Sequence, residues 1–405
     1  MNREEIKNKL DNKKIIIKGM GIIAHEFVHR YSKRLDLSFC TSLSKHEILD
    51  QLVRIELDDI LDNKDDFFII VCTDNYEAAS FELISKGLLP GVHFASYKVL
   101  EALLENMEIF FAVGQCELEV TNYIFQHLNS LKTEIQFFYF DEYKVLGIAE
   151  KKPQINTLLE INFMCGLADY FIYPVNLSVR GEFYTKLLQN ISDNCYVVSV
   201  PLSTFEGYWP QDNRKDYYEK SKYYLSAFSA SIRRDINIEN AFESGEEDIL
   251  IQLSQNDYYD EQYVEKNIDR TIKKFMILEK KSDVIISDFL QHNVKKVKLY
   301  LDRGHASAFV LKEYAKRILE RCNIEFAMEE VDNVDLQWYD NCHSEFPIYP
   351  CVQKQLAFGE NEKYRVVFNN SIYYLSFKEY MKLIYELVKR GMEYINEEKN
   401  CVYSK

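Results

Sequence analysis

Lys14-Ile15-Ile16-Ile17-Lys18-Gly19-Met20-Gly21 sets three isoleucines between lysines and closes on two glycines one residue apart. So short and β-branched a run reads as a buried strand, and Ile22 to Leu35 then carry apolar residues at helical spacing. Strand, glycine turn and helix in that order open a crossover unit of a parallel sheet. Downstream the alternation continues: a helix from about Ser44 to Leu61, a strand Phe67 to Cys72, a helix from about Asn75 to Lys86 and a short strand near Val92 to Ala95. The fold class is therefore α/β, with a doubly wound parallel sheet at the amino-terminal end. Gly19-x-Gly21-x-x-Ala24 also has the spacing of a turn that brings backbone close to a phosphate at a helix amino terminus. Gly19, Gly21 and Ala24 are thus candidates for a nucleotide or nucleotide sugar, against a purely packing role. Asp36, the nearest acidic residue for a ribose, sits early for that purpose.

A second beginning follows a helix from about Tyr97 to Glu105. Ile109-Phe110-Phe111-Ala112-Val113 is again an apolar strand, and it runs into Gly114-Gln115-Cys116-Glu117. Leu118, Val120, Ile124, Phe125 and Leu128 then recur at helical spacing, which puts Cys116 at a strand-to-helix turn. Helix amino termini lower thiol pKa values and offer amides to an oxyanion, so this cysteine is a candidate nucleophile expected to ionise readily. The restart divides the chain into residues 1–105 and 106–405.

The composition of the 405 residues narrows the function. A chain with 47% hydrophobic residues, 13 Gly and 7 Pro is ordered rather than low-complexity. A net charge of -15 gives no general field for nucleic acid or anionic lipid. No apolar stretch approaches the roughly 18 to 20 residues of a membrane span, so a cytoplasmic protein without a transmembrane segment is expected. Nine cysteines without CxxC pairs indicate neither a disulfide framework nor a zinc ribbon. His25 and His29 lie one helical turn apart with no acidic third ligand beside them, and no metal site is read from them. His46, His93, His127 and His292 read as structural. His305 follows Asp302 at three residues, a spacing that lets a carboxylate orient an imidazole, and Asp340-Asn341-Cys342-His343 repeats it.

Residues 12 to 98, with Gly19-Met20-Gly21, the strand from Phe67 to Thr73 and the ending Gly87-Leu88-Leu89-Pro90-Gly91-Val92-His93-Phe94, resemble the small Rossmann-like domains attached to polysaccharide-biosynthesis enzymes. Gly114-Gln115-Cys116-Glu117 resembles the Gly-Asn-Cys-Gln signature of the WcbI-type polysaccharide-biosynthesis acetyltransferase family. Three later segments resemble it in order: Val197-Val198-Ser199-Val200-Pro201 with Phe205-Glu206-Gly207-Tyr208-Trp209-Pro210, Lys298-Leu299-Tyr300-Leu301-Asp302-Arg303-Gly304-His305, and Phe346-Pro347-Ile348-Tyr349-Pro350. With a closing helix over Leu375 to Leu387, the likeness covers about residues 107 to 390. Gln115, Glu117, Trp209, Gly304 and Ala306 depart from the residues usual there.

The resemblance implies a larger α/β domain with an SGNH-like layout and a helical insertion from about Arg214 to Ser282. It also implies transfer of an acetyl group from acetyl-coenzyme A to a sugar hydroxyl of a capsular or surface polysaccharide precursor. Cys116 and His305 would then be nucleophile and base, with Gln115 and Asp302 in support. Coenzyme A carries several phosphate charges, so an acidic chain needs a local cluster of cations to hold it. Arg180, Arg233, Arg234 and Arg303 are the candidates, with Gly114 and Tyr208 beside the ligand. His305 rather than His343 is expected to be the base, because a short strand, Val297 to Leu301, precedes it as at the carboxyl edge of an open sheet. Two rivals remain: an SGNH-like esterase or deacetylase, and a non-catalytic nucleotide-sugar-binding assembly protein. The sequence leaves the oligomeric state open.

Overall fold

The computed structural model describes residues 2–19, 21–41, 52–146, 155–175, 180–211, 235–245, 248–357, 363–368 and 371–389. The chain forms two compact units, one of Met1–Ser199 with Leu319–Glu330 and one of Val200–Ile318 with Val331–Lys405.

The first unit opens with helix α1 (Arg3–Asn12), strand β1 (Lys14–Lys18) and helix α2 (Ile22–Tyr31). It continues through β2 (Leu37–Cys40), β3 (Val53–Arg54), β4 (Phe67–Val71), α3 (Tyr76–Ser85), β5 (Phe94–Ser96) and α4 (Tyr97–Leu104). The five strands pair in parallel in the order β3-β2-β1-β4-β5, so the expected doubly wound sheet is present. Ile15, Ile16 and Ile17 are each fully buried, as a strand covered on both faces requires. Gly19 ends β1 with φ +148°, and a Cβ there would lie 2.1 Å from the Cys72 carbonyl oxygen. Glycine is therefore needed because the end of β4 passes against the turn. The helix expected from Ser44 to Leu61 is corrected where it can be seen: Val53–Arg54 extends the sheet edge, and Leu57–Asp66 is a 3-10 stretch that buries Leu57 and Ile60. Residues 42–51 lie outside the described part.

The same unit holds a second sheet of β6 (Glu108–Gly114), β7 (Ile135–Asp141), β8 (Tyr170–Pro174) and β9 (Tyr196–Val200), ordered β7-β6-β8-β9. Strand β6 pairs in parallel with β7 and β8. Helices α5 (Cys116–Gln126), α6 (Glu142–Leu146), α7 (Ile155–Cys165) and α8 (Arg180–Leu188) connect these strands. A single apolar cluster takes Ile15, Ile17, Phe68 and Leu103 from before residue 105 and Phe111, Val113, Ile161 and Phe171 from after it. Arg3 joins the two parts, donating to the Met107 carbonyl at 3.0 Å and pairing with Asp169. The division expected at 105/106 thus falls inside the first unit.

The second unit contains α9 (Ile236–Ser244), α10 (Ile249–Leu253), α11 (Glu261–Glu279) and α12 (Ser287–Asn293), then β10 (Tyr300–Asp302) and β11 (His305–Ala306). Helix α13 (Ala308–Arg321) and α14 (Met328–Asn333), whose residues 319–321 and 328–330 belong to the first unit, are followed by α15 (Gln337–Cys342), α16 (Pro350–Gln353), β12 (Tyr364–Phe368) and β13 (Ser371–Leu375). A closing helix spans 377–389. Helices α9, α10 and α11 fall within the expected helical insertion, whose residues 214–234 and 246–247 lie outside the described part. The described strands of this unit form two antiparallel hairpins, β10-β11 and β12-β13. His305 consequently sits on a tight hairpin, and its expected place at the edge of an open parallel sheet is corrected. No helix among the described residues is long and apolar enough to cross a membrane.

Candidate active site

Cys116 is the first residue of α5, directly after β6, as the strand-to-helix reading requires. Gly114 lets the helix close onto the strand, since a Cβ there would stand 2.6 Å from Leu118 Cδ1. The Tyr139 hydroxyl donates to the Gly114 and Gln115 carbonyls at 3.0 and 3.1 Å and pins the turn. Gln115 directs its Nε2 to the buried Glu142 carboxylate at 2.7 Å, and Tyr184 donates to the other Glu142 oxygen. Sequence reasoning did not find Glu142, because a single acidic residue after an unassigned strand carries no pattern. The half-buried Cys116 Sγ donates to Glu117 Oε2 at 3.4 Å. The expected lowering of its pKa is reversed: burial first, and then the Glu117 charge, push the thiol well above its ordinary value. A carboxylate at that distance outweighs the partial charge of the helix terminus.

In the second unit the spacing Asp302-x-x-His305 becomes a built pair. The turn between β10 and β11 folds Asp302 opposite His305, and Asp302 Oδ1 accepts the amides of Gly304 and His305 at 2.6 and 3.0 Å. Its Oδ2 lies 2.8 Å from His305 Nδ1. Asp302 is 5% exposed, so its charge acts with little screening by water. A carboxylate facing Nδ1 fixes the proton there and leaves Nε2 as the basic nitrogen.

His343 is brought against this pair. The two imidazole centroids are 4.1 Å apart with ring planes at 43°. The Asp340-to-His343 spacing is not used as the Asp302-to-His305 spacing is: His343 Nδ1 donates to the Tyr339 carbonyl at 2.8 Å. Burial, followed by the neighbouring His305, pushes the His343 pKa down to about 4, which keeps this ring uncharged at neutral pH.

Three segments that carried the resemblance converge here. Phe205 N donates to the Arg303 carbonyl at 2.8 Å, Phe346 N to the Leu301 carbonyl at 2.9 Å, and the Phe205 and Tyr300 rings stack at 4.7 Å. Tyr208, expected beside a cofactor, is instead fully buried, and its hydroxyl donates to the Val294 carbonyl at 2.8 Å. It braces the hairpin from within the core. Arg303 is 8% exposed and occupies the turn next to Asp302. Arg180 begins α8, while Arg233 and Arg234 lie outside the described residues. In the first unit Gly21 caps α2 with open space around it, and Ala24 is buried in the core.

Residues 178–327 match the family of WcbI, described as a polysaccharide biosynthesis enzyme. The resemblance read from the motifs is shown over that segment, which contains Asp302 and His305. No curated protein matches the chain. A solved structure of WcbI, described as a novel polysaccharide biosynthesis enzyme in its native form without a disulfide bond between coenzyme A and a cysteine, shares the fold. Its TM-score is 0.50 at 15% identity, over 70% of this chain and 90% of the other.

Proposed function

We propose that the chain transfers an acetyl group from acetyl-coenzyme A to a sugar hydroxyl during polysaccharide biosynthesis. The observation that carries this reading is the Asp302–His305 pair, a buried carboxylate 2.8 Å from Nδ1 within the segment that matches a polysaccharide-biosynthesis family. In the proposed step His305 Nε2 removes the acceptor hydroxyl proton as the oxygen attacks the thioester carbonyl. Asp302 stabilises the imidazolium, and the same proton passes to the departing coenzyme A sulfur. A two-step route is the alternative: the Cys116 thiol attacks the thioester as its own proton passes to the departing coenzyme A sulfur, because its raised pKa disfavours a resting thiolate, and the sugar hydroxyl then takes the acyl group and returns a proton to the cysteine sulfur.

Gln115 supports that turn through Glu142, and Gly114 gives the close approach of α5. Arg303 is the proposed contact for the donor's phosphates in the second unit, with Arg180, Arg233 and Arg234 as the further cations read from the sequence. A nucleotide at Gly19, Gly21 and Ala24 is the less favoured reading, since Gly19 is already explained by the close pass of Cys72. The test is incubation of the full chain with labelled acetyl-coenzyme A and a panel of sugars and nucleotide sugars. A labelled sugar ester supports the assignment. Release of free acetate at the same rate with and without any sugar would instead favour the esterase that the same Asp–His pair could serve.

A further inference from the structure

The first unit contains a cavity of about 240 Å³ that Gly114, Gln115 and Cys116 do not line, although Tyr139, whose hydroxyl pins their turn, does. Thr73 and Asp74 just after β4, Ser96 at the end of β5, and Tyr76, Tyr97 and Lys98 in the first turns of α3 and α4 form one side. Phe138 and Phe140 of β7 and Phe163 and Met164 of α7 form the other. This is the carboxyl end of a doubly wound parallel sheet, where the geometry of such sheets leaves a crevice. The volume falls below the about 300–1,000 Å³ of pockets that enclose drug-sized ligands, so the cavity takes a nucleobase within its walls and leaves a sugar phosphate at its rim.

Three features divide the cavity chemically. Its body is aromatic: Tyr76, Tyr97, Phe138 and Phe140 offer ring faces to a flat group. Its floor holds Glu160, 7% exposed and accepting from Ser80, a carboxyl that burial pushes up to about 8 and that therefore adds little negative charge at neutral pH. Its rim is polar. Lys98 lies in the first turn of α4, which has no acidic residue, and an ammonium there adds to the positive helix end where a carboxylate would ordinarily be favoured. Among the described residues the Lys98 ammonium makes no hydrogen bond or close ion pair, though its charge acts on Glu101, whose closer partner is Arg30 at 3.3 Å. Asp74, exposed on the same rim, suits hydroxyl groups.

We propose that this cavity binds a nucleoside monophosphate, with the base between the aromatic walls, the ribose hydroxyls at Asp74 and the phosphate at the Lys98 ammonium. The site shares Tyr139 with the Cys116 turn, but the proposal does not rest on the acyl-transfer reading. The test is calorimetric titration of the full chain with AMP, GMP, CMP and UMP, with the matching nucleosides, and with inorganic phosphate alone at equal ionic strength. At least one nucleotide is expected to bind saturably, and its nucleoside and free phosphate each at least about tenfold more weakly. Lys98→Ala is exposed and should fold normally while losing about tenfold or more in affinity; Met164→Trp should fill the cavity and abolish binding. Cys116→Ala should bind as the native chain does. Absence of saturable binding by all four nucleotides, or undiminished affinity in Lys98→Ala, would overturn the proposal.

Discussion

A thiol at the first residue of a helix ordinarily gains acidity, and Cys116 does not, because burial first, and then the Glu117 carboxylate that accepts from it at 3.4 Å, disfavour its thiolate. Removing that charge while keeping the shape isolates the cause. Glu117→Gln is expected to lower the thiol pKa and speed alkylation of Cys116 by iodoacetamide at pH 8 by several-fold, with the other cysteines protected or substituted. Unchanged or slower alkylation would show that burial alone sets the thiol. Glu160 makes the opposite kind of residue, an acid that burial pushes up to about 8, above the ordinary 4.5. Its proton is bound more tightly in the folded state, so its stabilisation is full below about pH 4.5 and is lost as pH rises toward 8. The slope is about 1.4 kcal/mol per pH unit within that window. Glu160→Gln should therefore flatten the decline of stability measured by urea unfolding between pH 5 and 8, and an equally steep decline in the variant would assign it to other groups such as the buried Asp235, whose pKa burial raises to about 7.

Among the elements, the β1 turn is the most constrained. Gly19→Ala would place a methyl group 2.1 Å from the Cys72 carbonyl oxygen at a backbone φ of +148°. Destabilisation of about 2 kcal/mol or more is expected in chemical unfolding, and a loss below about 0.5 kcal/mol would mean that the end of β4 yields. Strands β1, β4 and β6 were legible because each is a continuous apolar run buried on both faces. Strands β2 and β7 were not: β2 is four residues long with a serine inside, and β7 lies at a sheet edge, where half-covered aromatic residues lack a clear period. The site divides in the same way. Cys116 at its turn and Asp302 beside His305 are local relations that spacing can carry. The stacking of His343 on His305 and the clamp of Glu142 on Gln115 depend on tertiary folding of distant segments, which no local spacing encodes.

Across the whole molecule, the restart at Ile109 looked like a domain boundary because it begins a second parallel sheet. It is a boundary between sheets and not between cores: Phe111 and Val113 share an apolar cluster with Ile17, Phe68 and Leu103. A chain beginning at residue 106 would expose that cluster and is expected to aggregate or to show non-cooperative thermal unfolding; a soluble fragment with a sharp transition would restore the earlier division. The acyl-transfer reading depends most on the basic nitrogen that Asp302 leaves available on His305. The deciding measurement is the rate of acetyl transfer from acetyl-coenzyme A to the sugar acceptor between pH 5 and 9, for the native chain, His305→Ala and His343→Ala. Loss of about 10²- to 10⁴-fold in His305→Ala, together with a smaller loss in His343→Ala, is the predicted result. Native-like transfer by His305→Ala, or a larger loss in His343→Ala, would contradict it.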